Sequence, residues 1–452
     1  MSNSSRRTFI KSAGLALSAV GSAAFASTNS STKAIAQPLD SSLNQILDLP
    51  PTPPLDGVAT DEAYWRKVAS HYDTTDDIIN LENGYWGIMA KPVLKDYINH
   101  SETINNRNTL FARTEWWQEF MGIHQHVADF LNVKQSEIAL TRGATEALQA
   151  LIGGYNQLKP GDKVLYADLD YSEMKNAFRW LEQRRGVEVI KINFPEPANW
   201  ESVLQLYKKT FDQHPEIKLM LLTHLNNWTG LISPVKQIAS LAKQRGIDII
   251  LDAAHSVGHV DFDIKDLGCD FVGVNLHKWV GAPIGCGAMI INENRLSDID
   301  TYMGKNHQSK QTKDAPNILD RIDTGTANFA AYLTIPSAIR FHNKITTKAK
   351  QLRLKYLRDL WIAQVRDVPE IQVMTPNDKQ MVAALTSFRL NNKTSTEANN
   401  AIAKELAEKH GILTVRRTGP ALGDCVRVTP SIYNTPEQML RLASALKTMI
   451  RR

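Results

Sequence analysis

Two polar residues stand where burial makes them costly. Lys278 follows the apolar run Phe271-Val272-Gly273-Val274 by a few positions, and Asp252 directly ends Ile249-Ile250-Leu251. A lysine in apolar surroundings responds with a depressed pKa, which makes it a nucleophilic amine. An acid at the end of a buried strand needs a cation, hydrogen bonds or a proton. A third segment, Arg142-Gly143-Ala144-Thr145-Glu146-Ala147-Leu148, is a small-residue turn that opens a helix. There the backbone N–H groups, including that of Ala144, and the Thr145 hydroxyl can cradle a phosphate at the positive helix end. A Schiff-base lysine, an acid for a pyridinium nitrogen and a phosphate cradle together point to pyridoxal 5'-phosphate (PLP).

Elements that can position these groups are legible around them. From about Asp77 to Gly287, β-branched runs such as 137–141, 163–166, 219–223 and 248–251 alternate with helical patterns such as Pro234 to Arg245. That alternation predicts an α/β fold, a mostly parallel sheet flanked by helices, with ligands at the carboxyl ends of the strands. A long amphipathic helix is expected near Thr347 to Arg366, and a smaller α+β domain ending in a helix over Pro436 to Arg451. The expected organisation is an N-terminal leader over 1–26, an extended arm over 27–76 rich in Ser, Thr and Pro, a large cofactor-binding domain over 77–340 and a small C-terminal domain over 341–452. The polar run Lys305 to Asn317 reads as a mobile surface loop.

The leader carries Ser5-Arg6-Arg7-Thr8-Phe9-Ile10-Lys11, a weakly apolar stretch and Ala24-Phe25-Ala26, with a second small-residue site at Ala34-Ile35-Ala36. This order resembles a twin-arginine export signal, which implies use of the twin-arginine machinery, a periplasmic or otherwise exported location and a protein that leaves the cytoplasm folded with its cofactor. The full chain has net charge +5, and residues 1–26 hold three cations and no acid, leaving +2. A nearly neutral body argues against nucleic-acid binding, and no segment beyond the leader suggests a membrane anchor. Three cysteines, Cys269, Cys286 and Cys425, allow no disulfide framework and no CxxC zinc spacing.

Asp252-x-x-His255, His277-Lys278-Trp279 and Arg142-Gly143-Ala144-Thr145-Glu146-Ala147 resemble the class V aminotransferase family of fold-type I PLP enzymes, which includes isopenicillin N epimerases and cysteine desulfurases. The likeness extends from about Leu81 to Leu446. It implies that Lys278 carries the cofactor as an internal aldimine and that Asp252 pairs with the pyridine nitrogen. His255 then lies near the ring's phenolic oxygen, and Thr145 and His277 bind the phosphate. Asn275 stands where relatives carry a serine that also touches phosphate. By the same resemblance, Tyr171 stacks on the ring and Asn227 lies near the ring hydroxyl and the substrate carboxylate. Arg427 clamps that carboxylate, and Gly325 and Thr326 reach across a homodimer to the partner's phosphate. Asn83, with Gly84-Tyr85-Trp86, is expected at the entrance as a substrate contact, and Arg113 is a candidate for a second carboxylate.

The pattern departs from a desulfurase where Arg417-Thr418-Gly419 leads into Pro420-Ala421-Leu422-Gly423-Asp424 without a cysteine. Cys425 and Cys286 read as packed thiols. The expected function is therefore PLP chemistry on the α-amino group of an amino acid or amino-acid-containing compound. Transamination is the leading outcome and epimerisation the alternative, with C–S lyase or desulfurase chemistry less favoured. A family member with such a leader is similar to the periplasmic enzyme that tailors the siderophore pyoverdine. Two further readings are weaker. A zinc site at Asp252, His255 and His259 leaves Lys278 unexplained, and a catalytically dead binding protein would not be expected to keep both Lys278 and Asp252.

Overall fold

Lys163–Ala167, Ile217–Thr223, Asp248–Asp252 and Phe271–Asn275 are almost wholly buried strands. Their near-continuous apolar runs belong to strands covered on both faces. The computed structural model describes residues 49–304, 317–322 and 325–451; the leader and most of the 305–317 run lie outside these. In chain order the strands are β1 (Ile79–Asn80), β2 (Ile138–Thr141), β3 (Lys163–Ala167), β4 (Glu188–Ile192), β5 (Ile217–Thr223), β6 (Asp248–Asp252), β7 (Phe271–Asn275), β8 (Gly287–Ile291), β9 (Ile371–Val373), β10 (Thr386–Leu390), β11 (Ile412–Leu413), β12 (Val415–Arg417) and β13 (Cys425–Val428).

The central sheet runs β2-β8-β7-β6-β5-β3-β4. Every pairing is parallel except the two made by β8, which lies antiparallel between β2 and β7. Helices Ala144–Gly154, Ser172–Arg185 and Val235–Lys243 follow β2, β3 and β5 and pack their apolar residues on the sheet. The C-terminal domain carries the four-stranded antiparallel sheet β12-β13-β10-β9. Against it lie the helices Thr347–Val365 and Pro436–Ile450, whose Trp361, Leu442 and Leu446 share its core.

The arm expected to be extended is helical over Glu62–Ala69, capped by Asp61, whose side chain accepts from Tyr64 N. The reason is its apolar face: Trp65 and Val68 are buried in the main core, and Trp65 Nε1 donates to Val58 O at 2.6 Å. Arg353, itself buried, pairs with Glu62.

One close approach matters for the site. A Cβ on Gly287 would meet Gly143 Cα at 2.5 Å, so β8 can lie against the turn before helix Ala144–Gly154 only as glycine. Gly287→Ala is expected to push that turn outward at a cost of about 1–3 kcal/mol. A fall in both melting temperature and cofactor affinity would show it; an unchanged affinity would mean that the turn absorbs the methyl.

Candidate active site

The carboxyl ends of β2, β3, β5, β6 and β7 open into one cavity of about 1290 Å³. Lined by Lys278, Asp252, His255, Thr145, Tyr171 and Arg427 among others, it brings together residues that are far apart in sequence.

Lys278 Nζ lies 2.8 Å from His255 Nε2. Burial lowers the lysine to about 7, with Asp252 opposing the shift and Arg427 and Arg417 adding to it. Burial, followed by the Lys278 charge, holds His255 well below its ordinary value, so the imidazole is neutral and accepts from the lysine. The amine is thus poised between its charged and nucleophilic forms at neutral pH. Capture of an aldehyde by the cofactor-free protein should therefore accelerate as pH rises towards about 7 and level off above it, because only the deprotonated amine attacks. Stopped-flow absorbance after mixing with PLP measures this; a rate still climbing steeply at pH 9 would contradict it.

Asp252 is buried at the end of β6, and its Oδ1 accepts from Ala254 N at 2.9 Å. Burial pushes this carboxyl up, while the Ala254 amide and Lys278 pull it down. A protonated ring nitrogen would supply the nearby cation that keeps it ionised. His255 Nδ1 is a buried polar atom without a hydrogen-bond partner among the described residues.

The phosphate cradle differs from expectation in one respect. Ala144 N already donates to Asn275 Oδ1 at 2.7 Å, so this amide is committed to a side chain. Asn275 thus faces the helix start with its oxygen, which leaves its Nδ2 as the group able to donate to an anion. Thr145 is exposed on the cavity wall in the first helical turn, where backbone amides lack intrahelical acceptors. His277 Nδ1 donates to Cys286 O at 2.9 Å, so its Nε2 carries any second proton. Burial holds His277 at about 4, and a bound phosphate would favour protonation at Nε2. A Cβ on Gly143 would crowd Asn275 Oδ1 at 3.1 Å and His277 Cε1 at 3.2 Å, so the turn leaves no slack beside these groups. The donor set fits a phosphorylated aldehyde cofactor.

Tyr171 stands at the N-cap position of helix Ser172–Arg185, with no side-chain capping bond, and lines the cavity. The preceding Asp170 is buried, accepts from Ala167 N and Thr223 Oγ1 (both 2.7 Å), and is raised to about 7 by burial. Trp228 Nε1 donates to Asp170 O at 3.2 Å, which fixes the backbone beside Tyr171. Asn227 lines the cavity, and its carbonyl accepts from Arg427 Nη1 at 2.9 Å.

Asn83 departs from its expected role and does not line the cavity. Its Nδ2 donates to Asn80 O and Thr429 O (each 3.0 Å), and its Oδ1 accepts from Tyr433 at 2.6 Å. This amide is consumed in tying the segment after β1 to the end of β13. Gly325 and Thr326 are exposed and do not line this chain's cavity. Arg113 likewise lies outside it, in the long helix Lys91–Thr114. His259 is no metal ligand here: its Nε2 accepts from Ala384 N at 3.0 Å and its ring packs 3.8 Å from Trp279. Sequence reasoning missed Glu82, whose carboxylate contacts both Arg427 and Arg417. It also missed Lys350, whose buried ammonium donates to Trp279 O at 2.5 Å, next to Lys278. Neither residue has a local motif; a lone acid after a short strand reads as surface.

The family model "Aminotransferase class-V" matches residues 91–442. Isopenicillin N epimerase of Streptomyces clavuligerus is 25% identical over 399 residues, covering 86% of this chain and 98% of that protein. A probable cysteine desulfurase of Methanothermobacter thermautotrophicus is 25% identical over 346 residues, with 72% and 82% covered. Among solved structures, C-DES with glycine covalently linked to its PLP cofactor superposes with a TM-score of 0.70 at 19% identity, covering 82% of this chain and 97% of that one. A matching family model over most of the chain, and a lysine, acid and cradle that fit the cofactor, establish that this protein belongs to the class V aminotransferase family of PLP-dependent enzymes.

Proposed function

We propose that the protein acts on the α-amino group of an amino acid or amino-acid-containing compound, with amino-group transfer as the outcome. Lys278 holds the cofactor, Asp252 faces its ring nitrogen, Tyr171 covers its ring, and Thr145, Asn275 and His277 hold its phosphate. When bound, PLP supplies an electron sink that acidifies the carbon bearing the substrate amine. Lys278 Nζ, once free, takes that proton, and neutral His255 accepts from the amine and keeps it aimed. Arg427 and its neighbours anchor the substrate carboxylate.

The observation carrying this reading is that Lys278, paired with His255, is the one lysine among the described residues that line the cavity. One base that takes and returns a proton serves amino-group transfer, whereas inversion needs a second acid on the far side. The likeness to isopenicillin N epimerase over nearly its whole length favours epimerisation as the second reading. Desulfurase chemistry has less support: none of the three cysteines lines the cavity, and burial raises the Cys425 thiol to about 11.

Visible spectra of the yellow holoenzyme with a panel of L- and D-amino donors test this. Bleaching with release of a keto acid is the expected result. Donor racemisation with the yellow band retained would replace transfer by epimerisation.

The protein also works, in this reading, as a homodimer, since Gly325 and Thr326 are exposed off their own cavity and Tyr85, Trp86 and Trp117 present apolar surface. Export through the twin-arginine route to the periplasm is proposed from the Arg6-Arg7 segment.

A further inference from the structure

Three arginines from two strands meet at the wall of the cavity. β12 and β13 pair antiparallel with Arg417 opposite Cys425 and Val415 opposite Arg427. Cys425 and Arg427 are two apart, so Arg417 and Arg427 project from one sheet face. Arg416 lies on the same wall but is neutralised by Asp424, at 2.6 Å.

Glu82 sits between the other two. Arg427 Nη2 donates to both of its oxygens, at 2.6 and 2.7 Å, and Arg417 Nη2 donates to Oε1 at 2.8 Å. The loop carrying Glu82 is anchored, because Glu82 N donates to Asn80 Oδ1 at 2.8 Å and Asn83 ties the next residue to Thr429. Gly84 lies close beside the guanidinium; a Cβ there would lie 2.9 Å from Arg427 Nη2.

Two consequences follow from guanidinium chemistry. Both two-toothed edges of an arginine, Nε with Nη2 and Nη1 with Nη2, use Nη2. In Arg427 that nitrogen is committed to Glu82, and Nη1 already donates to Asn227 O. Arg417 also gives Nη2 to Glu82, by one bond, and the buried Nε of both arginines has no partner among the described residues. Glu82 thus occupies the nitrogen shared by both edges in each arginine, with Arg417 20% exposed and Arg427 1% exposed. The charges also nearly cancel: three guanidiniums face two carboxylates, Glu82 and Asp424, leaving one positive charge.

We infer that Glu82 is a specificity-determining residue that cross-links Arg427 to Arg417 and restricts this wall to one substrate carboxylate. The inference rests on the reading that this arginine wall takes the substrate's carboxylate. A second carboxylate would meet Glu82 at a site whose cations are already shared, so dicarboxylates gain nothing over monocarboxylates.

Calorimetric titration of the cofactor-loaded protein with propionate and with succinate tests this without turnover. The unaltered protein is expected to bind both probes within about threefold of each other. Glu82→Gln should tighten succinate roughly tenfold and shift propionate by less than about threefold, because only the dianion exploits the added positive charge. Equal changes for both probes, in either direction, would overturn the inference and leave Glu82 a scaffold. Glu82→Asp keeps the charge and should keep the unaltered preference; selection of succinate by this variant would also overturn it. Arg427→Gln and Arg417→Gln separate the two layers of the argument. Propionate binding that survives both unchanged would sink the carboxylate-wall reading itself, whatever Glu82 does.

Discussion

Lys278→Ala leaves a protein that borohydride cannot fix to its cofactor, and turnover falls at least about 10³-fold. Two losses combine. The amine that bonds the cofactor is gone, and so is the base within reach of the substrate carbon, a role ordinarily worth roughly 10²–10⁴ in rate. The fold should tolerate the change, since Lys278 Nζ makes its one side-chain hydrogen bond to His255, and truncation removes a costly buried cation rather than a packed hydrophobe. The measurement is the visible spectrum before and after borohydride, with mass of the denatured chain. A cofactor still covalently retained in the variant would show that another amine carries it. Lys350 is the buried lysine to check in that event, although its ammonium is turned to Trp279 O and His342.

Asp252→Ala has the second largest expected effect, a loss of about 30- to 4000-fold in turnover with the cofactor still attached. The magnitude is that of truncating one partner of a buried charge pair, roughly 2–5 kcal/mol. Without the carboxylate at the end of β6, nothing in the immediate surroundings favours a protonated ring nitrogen. Asp170, raised to about 7 and bonded to Ala167 N and Thr223, is already occupied. Asp252→Asn should fall nearly as far, because an amide offers the ring nitrogen no negative charge. Full activity in the asparagine variant would mean that the ring works unprotonated and that Asp252 serves only as an anchor. Both variants also bear on stability. Burial raises the Asp252 carboxyl, so its ionised form destabilises the cofactor-free fold. This destabilisation is absent below the ordinary carboxylate range and complete above the raised value. Asp252→Asn should therefore melt higher than the parent at neutral pH, with the difference shrinking as pH falls.

Strand positions were legible because buried parallel strands need uninterrupted apolar residues, and β3, β5, β6 and β7 lie where those runs stand. The terminal helix and the long helix Thr347–Val365 were equally visible from their periodicity. The helix Glu62–Ala69 was hidden by its neighbourhood: a proline-rich lead-in reads as extended, and only docking of Trp65 into the core makes eight residues helical. Asn83 was misread for a related cause. An asparagine beside glycine and aromatics looks like an entrance residue, while its amide is in fact spent on Thr429 and Tyr433, more than 340 residues away in the chain.

What the amino-acid sequence determined by itself was the chemistry: a lysine and an acid each placed after an apolar run, and a small-residue turn at a helix start. Those signals are local, since each depends on the cost of burying a polar group beside its own neighbours. Tertiary structure decided how the groups are shared. It set Asn275 on the Ala144 amide, His255 on Lys278, and Glu82 between Arg417 and Arg427. Each of these pairings joins segments from different strands or loops, and hydrogen-bond partnership at such range follows from sheet order and register, which no short stretch of sequence encodes.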